Sequence, residues 1–301
     1  MTAPRLYCLD ASIYIFRAYF SRSSDFVSPE GFGLNAVEGF IDTVLSLLRQ
    51  RKPGHLMAAF DESLGSGFRE ALYPEYKSRR ALPDEALAFQ LACCRRVAEL
   101  LGIPCFSSAE FEADDLIASA AAVAQNMDWP VTVISRDKDL AQVLTGDSDE
   151  LWHIGEPPRS RALWQQERQL DCARLADYLA VLGDASDDIP GLKGVGEKTA
   201  KAIFQRFSSL EDIYGQLDQL ALLPVRGAAT LAAKFASQRS EVFLYRELTR
   251  LRRDVAVAGC PEELARRPVD SEGLRAFCLE VGFSGDYQQR LLSRCAQISA
   301  E

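Results

Sequence analysis

Apolar residues follow two rhythms along the first half of the chain. Arg5–Asp10 (RLYCLD) and His55–Asp61 (HLMAAFD) are short apolar runs that each close on an aspartate, and the β-branched run Val131–Asp137 (VTVISRD) does the same. Between them, Asn35–Gln50, Glu85–Leu101 and Ala113–Gln125 carry apolar residues at helical spacing. Strands alternating with helices predict βαβ units and a largely parallel sheet, an α/β fold. In such sheets, sites form beyond the carboxyl ends of the strands. One aspartate there reads as well as a turn residue; three at the same edge point to chemistry. After Trp152 the strand signal fades, and from Asp171 the chain reads mainly as helices, with one or two amphipathic helices in Ser271–Cys295. The expected organisation is an α/β unit over residues 1–175 and a helical unit over 176–301.

Composition narrows the chemistry. No stretch approaches the roughly 18 uninterrupted apolar residues of a membrane span, and MTAPRLYCLD lacks the basic and apolar regions of a signal peptide. The 8 cysteines form no CxxC pair and no zinc spacing, which predicts buried, reduced thiols in a soluble cytoplasmic protein. With 2 histidines, His55 and His153, a histidine triad or histidine-rich zinc site has almost nothing to work with. Reactive groups must then be carboxylates, lysines and arginines. The formal charge of −9 argues against a polyanionic partner, unless the acidic residues are gathered in one place and neutralised by cations.

FEADDLIASA (Phe111–Ala120), preceded by Glu110, places four carboxylates within six residues. Acidic side chains suit a helix start, but the crowding also suits a metal site. In chain order the candidate acids are Asp10, Asp61, Glu112, Asp114, Asp115, Asp137, Asp139, Asp184 and Asp187. Hard divalent cations take oxygen ligands, and Mg²⁺ keeps several waters besides one or two direct carboxylates. Two ions about 4 Å apart can clamp an in-line phosphoryl displacement. In a regular helix Glu112 and Asp114 would lie roughly 200° apart. Glu112 is therefore expected in the extended approach, with the helix starting near Ala113. Leu116, Ile117, Ala120 and Ala121 then face the core, and Glu110 stays solvated.

Two further stretches carry positive charge or glycine. Phe68–Arg80 (FREALYPEYKSRR) is locally basic through Arg69, Lys77, Arg79 and Arg80. In IPGLKGVGEKTAKAIFQRF (Ile189–Phe207), Gly191, Gly194 and Gly196 let backbone amides approach phosphates. The helix beginning near Glu197 points its N-terminus at the same place, and Lys193, Lys198 and Lys201 add charge. Nothing offers a base-reading helix, so structure rather than sequence is the expected target.

These blocks, with LDASIYIFRAYF, GFGLNAVEGF, AAFDESLGSGFREALYPEYKSRRALP, ISRDKDLAQVL and LGDASDDIPGLKGVGEKTA, stand in the order of one family. The chain resembles the 5′-nuclease (flap endonuclease) family, which includes the N-terminal domain of bacterial DNA polymerase I and the stand-alone exonuclease IX type. The resemblance implies a PIN-like nuclease core, a helical arch at about 65–90, and a helix–hairpin–helix (helix–three-turn–helix) at about 184–210. It implies metal ligation by all nine carboxylates. Asp10, Asp61, Glu112, Asp114 and Asp115 would serve a first Mg²⁺ or Mn²⁺; Asp137, Asp139, Asp184 and Asp187 would serve a second.

Catalytic roles fall on Asp10, Asp114, Lys77 and Arg17, the latter two at the scissile phosphate. Tyr76 would stack on a base near the cut, and Arg80 would also contact DNA. Gly191, Lys193, Gly194, Gly196, Lys198 and Thr199 would grip duplex DNA, with K⁺ on the hairpin carbonyls. The implied activity is metal-dependent hydrolysis of DNA at a 5′ flap or end by a monomer. Rival readings are a PIN-type ribonuclease and a non-catalytic binder of DNA junctions. Leu34, where the family often has threonine, and Asp188, where it often has asparagine, depart from the pattern. The chain ends at Glu301, which favours a stand-alone nuclease or a separately made domain.

Overall fold

The three apolar runs become neighbouring strands of one six-stranded sheet in the computed structural model of the chain, which describes residues 4–62 and 65–299. Strands β1 (Leu6–Asp10), β2 (His55–Ala59), β3 (Cys105–Phe106), β4 (Val131–Ile134), β5 (Glu150–Trp152) and β6 (Arg159–Ser160) lie in the order 3-2-1-4-5-6. All pairings are parallel except β5 with β6. The order changes direction between β1 and β4, the point where open parallel sheets place their sites. Asp10 ends β1, whereas Asp61 and Asp137 follow β2 and β4 by two and three residues. The expected aspartates therefore stand at one edge, two of them on loops.

The helices are α1 (Ala11–Ser21), α2 (Asn35–Arg51), α3 (Phe68–Leu72), α4 (Glu85–Leu100), α5 (Ala113–Gln125), α6 (Arg161–Arg168) and α7 (Leu175–Leu182). After them come α8 (Glu197–Arg206), α9 (Leu210–Gly215), α10 (Ala228–Ser237), α11 (Arg239–Thr249), α12 (Ser271–Val281) and α13 (Gly285–Ser299). Alternate residues of each strand enter opposite cores, as the two-residue period of a strand requires. Cys8, Met57 and Val133 pack with α5 and the helices between 170 and 264. Leu9, Ala58 and Ile134 pack with α1, α2 and α4. Phe277 and Leu291 join this second core beside Phe40 and Val97, so α12 and α13 cover the opposite face from α7–α11. Residues 176–299 are thus divided between the two faces of the sheet.

Leu34, fully buried in the second core, explains its departure from the family pattern as packing. Six of the described cysteines are buried. Burial pushes the Cys105 and Cys172 thiols up to about 12, which leaves them protonated. Among the described residues no helix is long and apolar enough to cross a membrane.

The helical arch differs from expectation. Between α3 and α4 the chain is irregular, with turns closed by Tyr76 N–H to Tyr73 O (2.9 Å) and Arg80 N–H to Lys77 O (2.9 Å). Pro74 and Pro83 interrupt any helix there. Lys77 takes a left-handed conformation, φ 50°, and its N–H donates to Asp187 O at 3.1 Å. The segment folds down as a strap over the acidic edge.

Candidate active site

Helix α5 begins where its geometry was expected to begin. Glu112 is the extended residue before it (φ −74°, ψ 163°) and the helix runs from Ala113. Leu116, Ile117, Ala120 and Ala121 are buried, and Glu110 is exposed. Glu112 and Asp115 are buried while Asp114 is half-buried, so the acids of this stretch take different surroundings.

Asp115 has the most committed of these environments. Arg69, the largest fully buried side chain, donates to both its oxygens, Nη1 to Oδ2 at 2.6 Å and Nη2 to Oδ1 at 2.8 Å. The Arg252 and Glu112 amides donate to the same carboxylate at 2.9 and 3.2 Å. With four donors on two oxygens, Asp115 is held firmly from within the protein, and the same Arg69 Nη1 lies 3.3 Å from Glu112 Oε2. Arg69 also donates to the carbonyls of Leu248 (2.7 Å) and Arg250 (3.1 Å). Buried charge is tolerated only when its hydrogen bonds are satisfied, and here nearly every guanidinium donor has a partner.

The strap supplies the countercharges of Glu112 and Asp187. Lys77 Nζ is paired with Glu112 Oε1 and lies 3.7 Å from Asp187 Oδ2. Arg80 holds Asp187 Oδ1 at 3.0 Å. Arg79 pairs with Asp188, which accounts for an acid at that position. Burial alone would raise Glu112, but Lys77 and Arg69 hold it below the usual carboxylate range. Burial also opposes the Lys77 ammonium, yet Glu112 and Asp187 hold its pKa above the ordinary lysine value. For Asp187 the balance reverses, and burial lifts it despite Lys77 and Arg80.

Tyr76 departs from its expected role of stacking on a base. Its ring is buried, and its hydroxyl donates to Glu112 Oε2 (3.0 Å) and Asp187 Oδ2 (3.2 Å). Burial and these two acids raise its pKa, so it remains a donor. Arg17 is exposed on α1, two turns beyond Asp10.

At the centre of the sheet edge the acids have fewer countercharges. Asp10 accepts from Ser135 Oγ at 2.7 Å, tying β1 to the loop after β4. Burial, with Asp137 and Asp61 behind it, pushes Asp10 up to about 6 against the bonds from Ser135 and Ile13. Burial, Asp137, Asp10 and Glu112 hold Asp114 well above the usual range. Asp139 is pushed up to about 8 by burial and Asp137, against Lys138. Asp139 Oδ1 is buried with no partner. Mutual repulsion thus links Asp10, Asp114, Asp137 and Asp139 as one group, across the two expected ligand sets. The donor set is all oxygen, as a hard divalent cation requires. Among the described residues, no three acidic, histidine or cysteine side chains stand close enough to ligate one ion as they are. An ion that keeps most of its waters needs only one or two of them directly.

Asp184 and Asp187 reach the edge through a closed loop. Asp184 and Ile189 exchange both backbone bonds at 2.9 Å. A Cβ at Gly191 (φ 66°) would lie 2.3 Å from Gly183 N, so only glycine permits this closure. Lys138, which sequence reading passed over, binds Asp184 Oδ2 at 3.2 Å. Burial alone would raise Asp184, but Ser186 and Lys138 hold it low. Directly after the loop, Lys193, Gly194, Gly196 and Lys198 are exposed, Thr199 is half-buried, and α8 starts at Glu197. Lys234 Nζ, from α10, donates to Gly194 O at 3.4 Å.

Residues 5–168 match the family described as "5′-3′ exonuclease, N-terminal resolvase-like domain", and residues 170–272 match "5′-3′ exonuclease, C-terminal SAM fold". The chain is 36% identical over 287 residues to DNA polymerase I of Mycobacterium tuberculosis (H37Rv), covering 93% of this chain and 31% of that protein. It is 28% identical over 256 residues to the "5′-3′ exonuclease" of Buchnera aphidicola (subsp. Schizaphis graminum), covering 85% and 89%. The chain thus spans about a third of the length of its polymerase relatives. Among solved structures, zinc-bound T5 5′-exonuclease superposes with a TM-score of 0.66 at 19% identity, covering 98% and 99% of the chains. Flap endonuclease-1 from Methanococcus jannaschii does so at 0.62 and 16%, covering 99% and 93%. These likenesses show a shared fold, a PIN-like core with a helical SAM-like region.

Removing Arg69 leaves Asp115 buried and unpaired. Arg69→Ala is expected to lose about 3–5 kcal/mol of unfolding free energy in urea titrations. Asp139 has a second consequence. Its carboxyl is pushed up to about 8 in the folded chain, against about 4 unfolded. Its contribution to stability is therefore complete below pH about 4 and is lost as pH rises towards 8. In EDTA, Asp139→Asn should match the parent at pH 4 and exceed it by more than about 1 kcal/mol at pH 8.

Proposed function

Because the chain belongs to the 5′-3′ exonuclease family, we propose that it hydrolyses DNA phosphodiesters where a 5′ single strand meets duplex. The observation that carries this reading is the continuity of three features. An under-neutralised carboxylate group lies at the sheet edge, a basic strap covers it, and the 184–191 loop leads directly into a glycine-rich hairpin and α8.

Asp10, Asp61, Glu112, Asp114, Asp137, Asp139, Asp184 and Asp187 would hold two divalent ions, Mg²⁺ or Mn²⁺, and Asp115 would brace them through Arg69. When bound, such ions supply an activated water and neutralise charge on the phosphate. Lys77 and Arg17 bring positive charge to the scissile phosphate as it develops charge. Arg80 extends that field along the strap, and Tyr76 orients Glu112. The hairpin amides of Gly191–Gly196, Lys193, Lys198 and Thr199 grip duplex phosphates without reading bases. Potassium at the hairpin would compete with Lys234, whose ammonium already faces the Gly194 carbonyl. The protein would act as a monomer in the cytoplasm, a setting that suits its mostly buried thiols.

On a labelled 5′-flap duplex, cleavage should require Mg²⁺ and stop in EDTA. Asp114→Ala should lose more than the roughly 10–100-fold typical of an outer-shell change. Preference for matched RNA would favour a ribonuclease, and tight junction binding without turnover a non-catalytic binder. In Ca²⁺, at constant ionic strength, Lys234→Met should make flap binding depend on K⁺ more steeply than in the parent; equal dependence would remove Lys234 from the cation's place.

A further inference from the structure

Two open clefts lie beside the acidic edge and share Lys138, Trp164 and Arg168 in their walls. The first, about 610 Å³, starts at Ser135, whose hydroxyl binds Asp10, and includes Arg136. The second, about 710 Å³, continues over an apolar floor that includes Leu179 and ends at Glu197 and Lys201 on α8. Together they form one path from the carboxylates to the helix–hairpin–helix.

The charges along this path are unequally engaged. Arg159 is held by Glu156 and Glu167, each at 3.2 Å. Lys201 is held by Glu197 at 2.9 Å, and Lys138 by Asp184 at 3.2 Å. The acids of the path are thus already paired. Arg136 and Arg168 are exposed, and among the described residues neither forms an ion pair. Two unneutralised guanidiniums on a path with an apolar, aromatic-containing floor suit a sugar-phosphate backbone.

We propose that Arg136 and Arg168 carry the backbone of one DNA strand along this path, between the cutting site and the duplex gripped at α8. The assignment rests on the proposed DNA-cutting function and adds two positioning residues to it. Bases are not read there, since the contacts are to phosphate.

The test is fluorescence anisotropy of a labelled 5′-flap duplex in Ca²⁺, across a KCl series. Each of Arg136→Ala and Arg168→Ala should weaken binding on all flap sequences and flatten the slope of log K against log salt by about 1, the pair by about 2. Arg136→Lys and Arg168→Lys should keep the slope, and Arg275→Ala on α12 should not change it. Parental binding with an unchanged slope in the double variant overturns this assignment alone. Absence of salt-dependent binding by the parent protein overturns the proposed function as well.

Discussion

The buried pair of Arg69 and Asp115 is the contact on which the rest of the site depends. It joins three parts of the chain that are far apart in sequence: α3 at the foot of the strap, the first turn of α5, and residues 248–252 at the end of α11. An ion pair removed from water stabilises little on its own, because desolvation consumes most of the attraction. Its value here is geometric. With both oxygens and most guanidinium donors satisfied, the start of α5 has one orientation, and Glu112 and Asp114 inherit it.

Around that fixed point, charge is distributed in two grades. Glu112, Asp184 and Asp187 have cations from the chain itself, Lys77, Lys138 and Arg80. Asp10, Asp114 and Asp139 are raised first by burial and then by neighbouring carboxylates, Asp137 beside each of them. A protein gains nothing in stability from such crowding. Its presence at the switch point of the sheet, where β1 and β4 diverge, fits a site that other cations complete. The strap is then a cover whose lysine and arginines are already aligned with the acids that incoming phosphate would replace as partners.

Much of this was legible before folding was considered. The strands β1, β2 and β4, the helices Asn35–Arg51, Glu85–Leu100 and Ala113–Gln125, and the break between Glu112 and Ala113 follow from local periodicity and from helix geometry. The closing loop follows from Gly191, where a Cβ would run into the backbone of Gly183. Three features were not legible. Asp115 looks like its neighbours in sequence, but its partner lies 46 residues away. Tyr76 looks like an exposed aromatic, and its burial depends on Asp187, 111 residues on. Lys138 sits between two acids in sequence, and nothing local says that it serves Asp184 instead.

The sequence by itself determined which residues are acidic, where the backbone must turn and which faces are apolar, because those properties are local. Tertiary structure decided which acids are neutralised, which way the strap lies, and that α12 and α13 cover the face opposite α7–α11. Those outcomes depend on charges and surfaces meeting across long loops, and the balance of desolvation against pairing exists only once they have met.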